Sequence, residues 1–230
     1  SRTICCFRIR IIMRSSKKNN EKLDLLLDKA NDLFKSKNYA DAEKAYKKIL
    51  KTNPLESDAL QGLALVMKMT GDLIKAENYI KRAIELCPSA PNYHYTLCTI
   101  LETKEDFESA IKSCKKAIEI QKDSEKYHLC LGNLYYKSGD LDNAAEIYNK
   151  VIQMSPDNAE SYANLGAVLT KKNLYEESLR YLMEAIRLQP NFSSAYNNIG
   201  TVYHHLSRDE ESIEYYKKAL TISPDDAETM

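Results

Sequence analysis

The sequence predicts an all-α chain, an α-solenoid of six tandem helix-turn-helix units, and three observations carry that prediction. Prolines recur on one interval: Pro54, Pro88, Pro156, Pro190 and Pro224 are separated by 34, 68, 34 and 34 residues. Glycines mark the same interval independently, since Gly132, Gly166 and Gly200 lie 34 apart and Gly71 and Gly139 lie 68 apart. Between these markers apolar residues recur at helical spacing in two runs per interval, for example Tyr162, Leu165, Gly166, Leu169 and then Leu174, Leu179, Leu182, Ile186. A period of this length marks a small supersecondary unit that buries its apolar face only by stacking on its neighbours.

The period divides the chain into units 23–56, 57–90, 91–124, 125–158, 159–192 and 193–226. Each opens with a first helix. A Gly-Asp or Asn-Leu element follows (Gly71-Asp72, Gly139-Asp140, Asn173-Leu174), where glycine or asparagine takes the left-handed conformation that ends a helix. The second helix comes next, and the periodic proline stops it and extends the residue before it. Gly132, Gly166 and Gly200 fall where the two helices of a unit approach closely, with Ala30, Ala64 and Cys98 at the equivalent places. Residues 1–22 form a leader outside the fold: positions 1–20 carry six basic side chains and no acid, and the character changes at Glu21. A targeting segment and residues upstream of a start at Met13 are the two readings of that leader. At the other end, AETM matches the AESY that opens the fifth unit, so 227–230 read as the start of a truncated seventh repeat in a longer protein.

One unit, aligned on its period, runs large residue, Leu, Gly, aromatic or Leu, then Ala, aromatic, Ala and Pro. The fourth shows this as His128, Leu131, Gly132, Tyr135, Ala144, Tyr148, Val151 and Pro156, and the second as Leu60, Leu63, Ala64, Met67, Ala76, Ile80, Ala83 and Pro88. The pattern resembles the tetratricopeptide repeat over residues 23–226. The departures are Ser178 and Ser212 in place of the small Ala, Lys122 in place of Pro, and Lys29 where Leu is usual. The resemblance implies a right-handed superhelix lined inside by the first helix of every unit.

Composition narrows the function. Thirty-three basic and thirty-three acidic residues cancel, so the chain lacks the overall positive charge of a nucleic-acid binder or a ligand of anionic membranes. No stretch approaches the twenty or so apolar residues that cross a bilayer. Six cysteines form no CxxC pair, and four sit inside helical patterns, which points to a reducing, cytoplasmic setting. The sequence holds no glycine-rich phosphate loop, no GxSxG and no HExxH, and a non-enzymatic role without cofactor or metal is expected. His94 with Cys98, and His128 with Cys130 one unit later, could gather as zinc ligands, but His94, Cys98 and His128 fall on packing positions of the repeat and need no metal.

The remaining candidates are polar residues of the first helices. In SYANLGAVL and AYNNIGTVY, Asn164 and Asn198 stand at the same register, one residue before a large aliphatic residue and two before a glycine. Units five and six resemble the repeats of O-GlcNAc transferase, in which a ladder of groove asparagines holds extended peptide by its backbone. An amide suits that task because it both donates and accepts. Further groove positions on the same alignment are Tyr95, Thr99, Asn133, Tyr136, Asn197, Thr201, His204 and His205. A clamp for a partner's C-terminal carboxylate, the other familiar mode, finds Leu27, Asn31, Gly62, Asn92 and Thr96 where it needs Lys, Asn, Asn, Lys and Arg. The expectation is therefore a protein-interaction scaffold that takes an extended peptide or helix of a partner protein, with no nucleic-acid or membrane ligand. Self-association through an uncapped end is a further expectation. The alternative is a substrate-recruiting arm of a larger enzyme of the O-GlcNAc transferase kind.

Overall fold

The computed structural model describes residues 17–224, and among them it contains twelve α-helices and no strand. In chain order they are α1 (Lys17–Lys35), α2 (Tyr39–Thr52), α3 (Ser57–Met69), α4 (Leu73–Leu86), α5 (Pro91–Thr103), α6 (Phe107–Ile120), α7 (Glu125–Ser138), α8 (Leu141–Met154), α9 (Ala159–Lys171), α10 (Tyr175–Leu188), α11 (Ser193–His205) and α12 (Asp209–Ile222). They form six helix pairs on the expected period. The start of α1 at Lys17 precedes position 23, while positions 1–16 of the leader, Met13 included, and positions 227–230 lie outside the described residues. The helices fall into two compact units, the first running through Lys122 and the second starting at Asp123.

Every first helix ends the same way. The residues at positions 37, 71, 105, 139, 173 and 207 all have φ between 57° and 87°, in the left-handed region, although only two of them are glycine. In each case the next amide donates five residues back (Asp72 N to Met67 O, 2.9 Å; Asp140 N to Tyr135 O, 2.9 Å), and the left-handed residue donates three back (Gly71 N to Lys68 O, 3.2 Å). That pair of bonds is the Schellman closure of a helix. Gly71, Gly139 and Asn173 take the conformation the sequence predicts, whereas Lys37, Glu105 and Ser207 take it against their own preference.

The residue after the turn then starts the second helix. Asn38, Asp72, Asp106 and Asp140 accept a hydrogen bond from the backbone N–H three residues on, at 3.4, 3.0, 3.1 and 3.2 Å. A cap of this kind is worth about 1 kcal/mol. Leu174 and Arg208 occupy the same place in the last two pairs without a side-chain cap. At the far end of each second helix the capping residue is extended (Asn53 φ −136°, ψ 87°; Ser155 φ −140°, ψ 83°). Gln121, which precedes Lys122 rather than a proline, adopts φ −127°, ψ 89°, so the proline reinforces this geometry without being required for it.

Packing follows the same register. The second-helix positions Tyr46, Ile80, Tyr148 and Leu182 are buried, and each apolar side chain so placed is worth about 1.5–3 kcal/mol. Against them lie the small residues of the first helices. A Cβ added at Gly132 would come within 2.7 Å of Tyr148 Cε1, at Gly166 within 2.6 Å of Leu182 Cγ, and at Gly200 within 2.8 Å of Tyr216 Cδ1. The two serines that depart from the repeat pattern carry a further contact: Ser178 Oγ donates to Gly166 O at 2.8 Å and Ser212 Oγ to Gly200 O at 2.9 Å. Both hydroxyls are buried and satisfied, so serine tightens these two pairs where alanine would only fill space.

Each second helix packs on its own first helix and on the first helix of the next pair in its unit. Consecutive first helices also touch one another, α1 with α3, α3 with α5, α7 with α9 and α9 with α11. In each unit the first helices therefore share one face.

Candidate functional site

In the second unit that face is made by α7, α9 and α11. Toward the C-terminal ends of these helices lies a cavity of about 400 Å³ lined by Tyr136, Ala167, Thr170, Lys171, Asn173, Asn198, Thr201 and His205. Four of the residues expected at a groove, Tyr136, Asn198, Thr201 and His205, are thus brought together. Tyr136 comes from α7 and the other three from α11, while α9 between them supplies Ala167, Thr170 and Lys171; the stacking of successive first helices on one face gathers them.

The polar groups here divide into those already engaged and those that are not. Asn133 Oδ1 accepts from the Tyr148 hydroxyl at 2.6 Å and from Asn164 Nδ2 at 3.3 Å, which occupies both lone pairs of that oxygen. Asn164 therefore spends part of its amide on its neighbour and keeps its own oxygen as an acceptor. Thr201 Oγ1 lies 3.1 Å from Asn197 O and 3.1 Å from the Tyr216 hydroxyl. Thr170 Oγ1 is held by Gly166 O and Ser178 Oγ at 2.9 and 2.8 Å. Asn198, by contrast, makes no hydrogen bond among the described residues. Asn173 gives its oxygen to the Tyr175 hydroxyl at 2.8 Å, which leaves the amide nitrogen as its outward group. His205 stacks on Tyr175 with centroids 5.4 Å apart and planes at 15°. Lys171 Nζ stands 4.0 Å from the centroid of the Tyr136 ring.

Asn197 is half-buried on the same helix as Asn198 but does not line the cavity, and His204 pairs with Asp209 at 3.3 Å. Tyr95 and Thr99 belong to the first unit, where Thr99 Oγ1 bonds back to Thr96 O at 3.0 Å. Thr96, at the register of the two asparagines, is buried and accepts from Gln61 Nε2 at 2.9 Å. The first unit has its own cleft of about 540 Å³, lined by Asp24, Asp28 and Asp58 with Leu27, Asn31, Phe34, Lys35, Tyr46, Gln61, Gly62 and Leu65. There the Tyr46 hydroxyl donates to Asn31 Oδ1 at 2.7 Å, the same bond that joins Tyr148 to Asn133 three repeats later. Burial lifts Tyr46 to about 12 and raises Tyr148 as well, since a phenolate would have to be desolvated.

The imidazoles raised as zinc ligands are engaged with backbone. His94 Nε2 lies 2.8 Å from Pro88 O, and His128 Nδ1 lies 3.0 Å from Ser124 O. A carbonyl only accepts, so in each case that ring nitrogen carries the proton. Cys98 is fully buried.

Lys171, Asn173, Ala167 and Thr170 are the cavity residues that the repeat alignment did not single out. One signal was available, for Lys137, Lys171 and His205 recur at an interval of 34 at the ends of the first helices.

Models described as TPR repeat or tetratricopeptide repeat match residues 27–91, 103–139, 132–173, 159–192 and 193–226, which together cover most of the chain. The chain belongs to the tetratricopeptide repeat family. No curated protein sequence matches it. Among solved structures, this tetratricopeptide repeat chain is similar to YrrB, a TPR protein with an unusual peptide-binding site, at 20% identity over 81% of this chain and 96% of that one, with a TM-score of 0.62. It is similar to Pseudomonas aeruginosa PilF at 14% identity over 93% and 97% of the two chains, TM-score 0.77. A third likeness is to the Cut9-Hcn1 structure of the APC/C, at 17% identity over 87% of this chain and 40% of that one, TM-score 0.70. At these identities the likeness is one of fold.

Among the described residues, no helix is long and apolar enough to cross a membrane.

Proposed function

We propose that this tetratricopeptide repeat chain is a non-catalytic protein-interaction scaffold that binds an extended segment of a partner protein along the first helices of its second unit. The observation that carries this reading is the row of half-buried amides, Asn164 and Asn198, one repeat apart, with an unused acceptor on the first and a wholly unused amide on the second. An extended peptide presents N–H and C=O groups at a regular rise, and amides fixed on helices satisfy such groups whatever the peptide's side chains are. The peptide-binding site of YrrB, a protein of the same fold, supports a groove of this kind.

The test is capture of partners from the native cell on the full chain, compared with the double variant Asn164→Ala with Asn198→Ala. Two to three hydrogen bonds at about 0.5–1.5 kcal/mol each predict affinities weakened by roughly ten- to a hundredfold, with helicity unchanged. A partner set that both baits retain equally would place recognition elsewhere on the molecule. The alternative, in which the same groove recruits substrates to a glycosyltransferase domain of a longer protein, makes the same prediction for the variant and differs in what the captured proteins carry.

A further inference from the structure

The cavity beside Asn198 has a charge character that the neutral composition conceals. Its lining includes one full cation, Lys171, and no carboxylate. Its neighbour Lys172 is paired with Asp142 at 2.5 Å, whereas Lys171 has no acidic partner among the described residues. What holds its ammonium is the face of Tyr136, which orients a cation without neutralising it. Around it stand groups that donate or can donate: the Asn173 amide nitrogen, turned outward because its oxygen is held by Tyr175; the unengaged amide of Asn198; and the imidazole of His205. The two threonine hydroxyls of the lining already donate their hydrogens to carbonyls of their own helices, Thr170 to Gly166 and Thr201 to Asn197. A pocket with one positive charge and several neutral donors matches a single negative charge with two oxygens.

We infer that this cavity is a carboxylate subsite, taking an Asp or Glu side chain from the middle of an extended partner segment. The inference rests on the groove reading above. Asn164 and Asn198 bind main chain at two successive repeats, so the segment runs past the cavity instead of ending in it, and the carboxylate comes from a side chain. A dianionic phosphate group would leave part of its charge unmatched by one ammonium, since such groups are usually met by clusters of arginine.

The experiment selects binders to the full chain from a library of short peptides acetylated at the N-terminus and amidated at the C-terminus, so that no terminal carboxylate is present. Selection is run in parallel on Lys171→Ala, Lys171→Glu and the double asparagine variant. Peptides retained by the unaltered chain are expected to share an Asp or Glu at one position, and replacing it by Asn or Gln should weaken binding about five- to tenfold. Lys171→Glu should select Lys or Arg there instead. Lys171 is exposed and its ammonium lies over the Tyr136 ring, so helicity serves as the check that these variants fold. Peptides that depend on the asparagines but show no acidic position, or an acidic position indifferent to Lys171→Glu, overturn the subsite and leave the groove standing. Peptides that require Lys171 and an acid but ignore the asparagines support Lys171 as the partner of the carboxylate, and sink both the backbone ladder and the part given to Asn198 in the subsite. Phosphoserine binding more tightly than Glu at that position refutes the choice of a carboxylate. If no peptide is retained, both readings fail.

Discussion

The hydroxyl of Tyr148 offers a sharp test of how this repeat is held together. The residue is 1% exposed, its ring covers Gly132, and its hydroxyl donates to Asn133 Oδ1 at 2.6 Å. Tyr148→Phe keeps the ring and removes one hydrogen bond, which costs about 0.5–1.5 kcal/mol. Asn133→Leu should cost more, about 1–3 kcal/mol, because it strands a buried hydroxyl without a partner. The double variant should recover much of that loss, since two apolar groups facing each other leave nothing unsatisfied. At the same register of other repeats the sequence has apolar residues at both places, Leu65 with Ile80 and Ala167 with Leu182. A double-mutant cycle should therefore show about 1 kcal/mol of coupling. The weaker bond from Asn164 to Asn133 is lost in both Asn133 variants and cancels in the cycle. Repeat arrays need not unfold in one step, so hydrogen exchange of α7 and α8 amides is the readout of choice, with thermal melting as a second measure at about 2–4 °C per kcal/mol. Additivity to within about 0.3 kcal/mol would refute the view that this bond is a structural tie, and would return the whole of Asn133 to the groove as a ligand-binding group.

Two further outcomes follow from backbone and burial. Glu105→Gly and Lys37→Gly relieve a left-handed conformation that costs an L-residue about 1–2 kcal/mol, against about 0.4–1 kcal/mol of added chain entropy in the unfolded state, so each should raise thermal stability slightly; Gly71→Ala and Gly139→Ala should lower it by about 1 kcal/mol, and a fall for Glu105→Gly would show that its side chain contributes to the turn. In alkali, Tyr46 titrates at about 12 in the folded chain and near its ordinary value of about 10 when unfolded. The stability it contributes is therefore whole below about pH 10 and is lost as pH rises toward 12, so circular dichroism should show unfolding across that window, shallower in Tyr46→Phe, and an unchanged slope would mean that the phenol is not protected.

The fold was readable because its markers act on the backbone directly. Pro54 and its successors fix φ, and Gly71 and Gly139 admit the left-handed turn, whatever surrounds them; the proline marks five of the six units and the turn glycine two, all on one interval. The turns at Lys37, Glu105 and Ser207 were hidden, since there the left-handed conformation comes from the Schellman closure and the packing of the following helix, and not from the residue itself. The serines 178 and 212 looked like relaxed versions of an alanine position and proved to be bonded ones, because a contact to a carbonyl twelve residues away leaves no local pattern.

The site was legible only as a row. The stacking of first helices on one face brought Tyr136, Asn198, Thr201 and His205 to one cavity, yet the repeat alignment alone could not show which polar groups are free. That depends on the residue fifteen positions later, on the second helix. A tyrosine there reaches the first-helix residue with its hydroxyl, as Tyr46 does at Asn31, Tyr148 at Asn133 and Tyr216 at Thr201; where Ile80 or Leu182 stands there, the first-helix residue is the apolar Leu65 or Ala167. The asparagines at positions 164 and 198 lie three residues before that register and escape the tyrosines altogether. Lys171 stayed unnoticed because a basic residue in the last turn of a helix is ordinarily accounted for by the helix dipole. Its meaning lies in what surrounds it, an aromatic face in place of a carboxylate. The polar residues worth mutating in this groove are accordingly those with no tyrosine assigned to them, and the chain sorts them by a spacing of fifteen within the period of thirty-four.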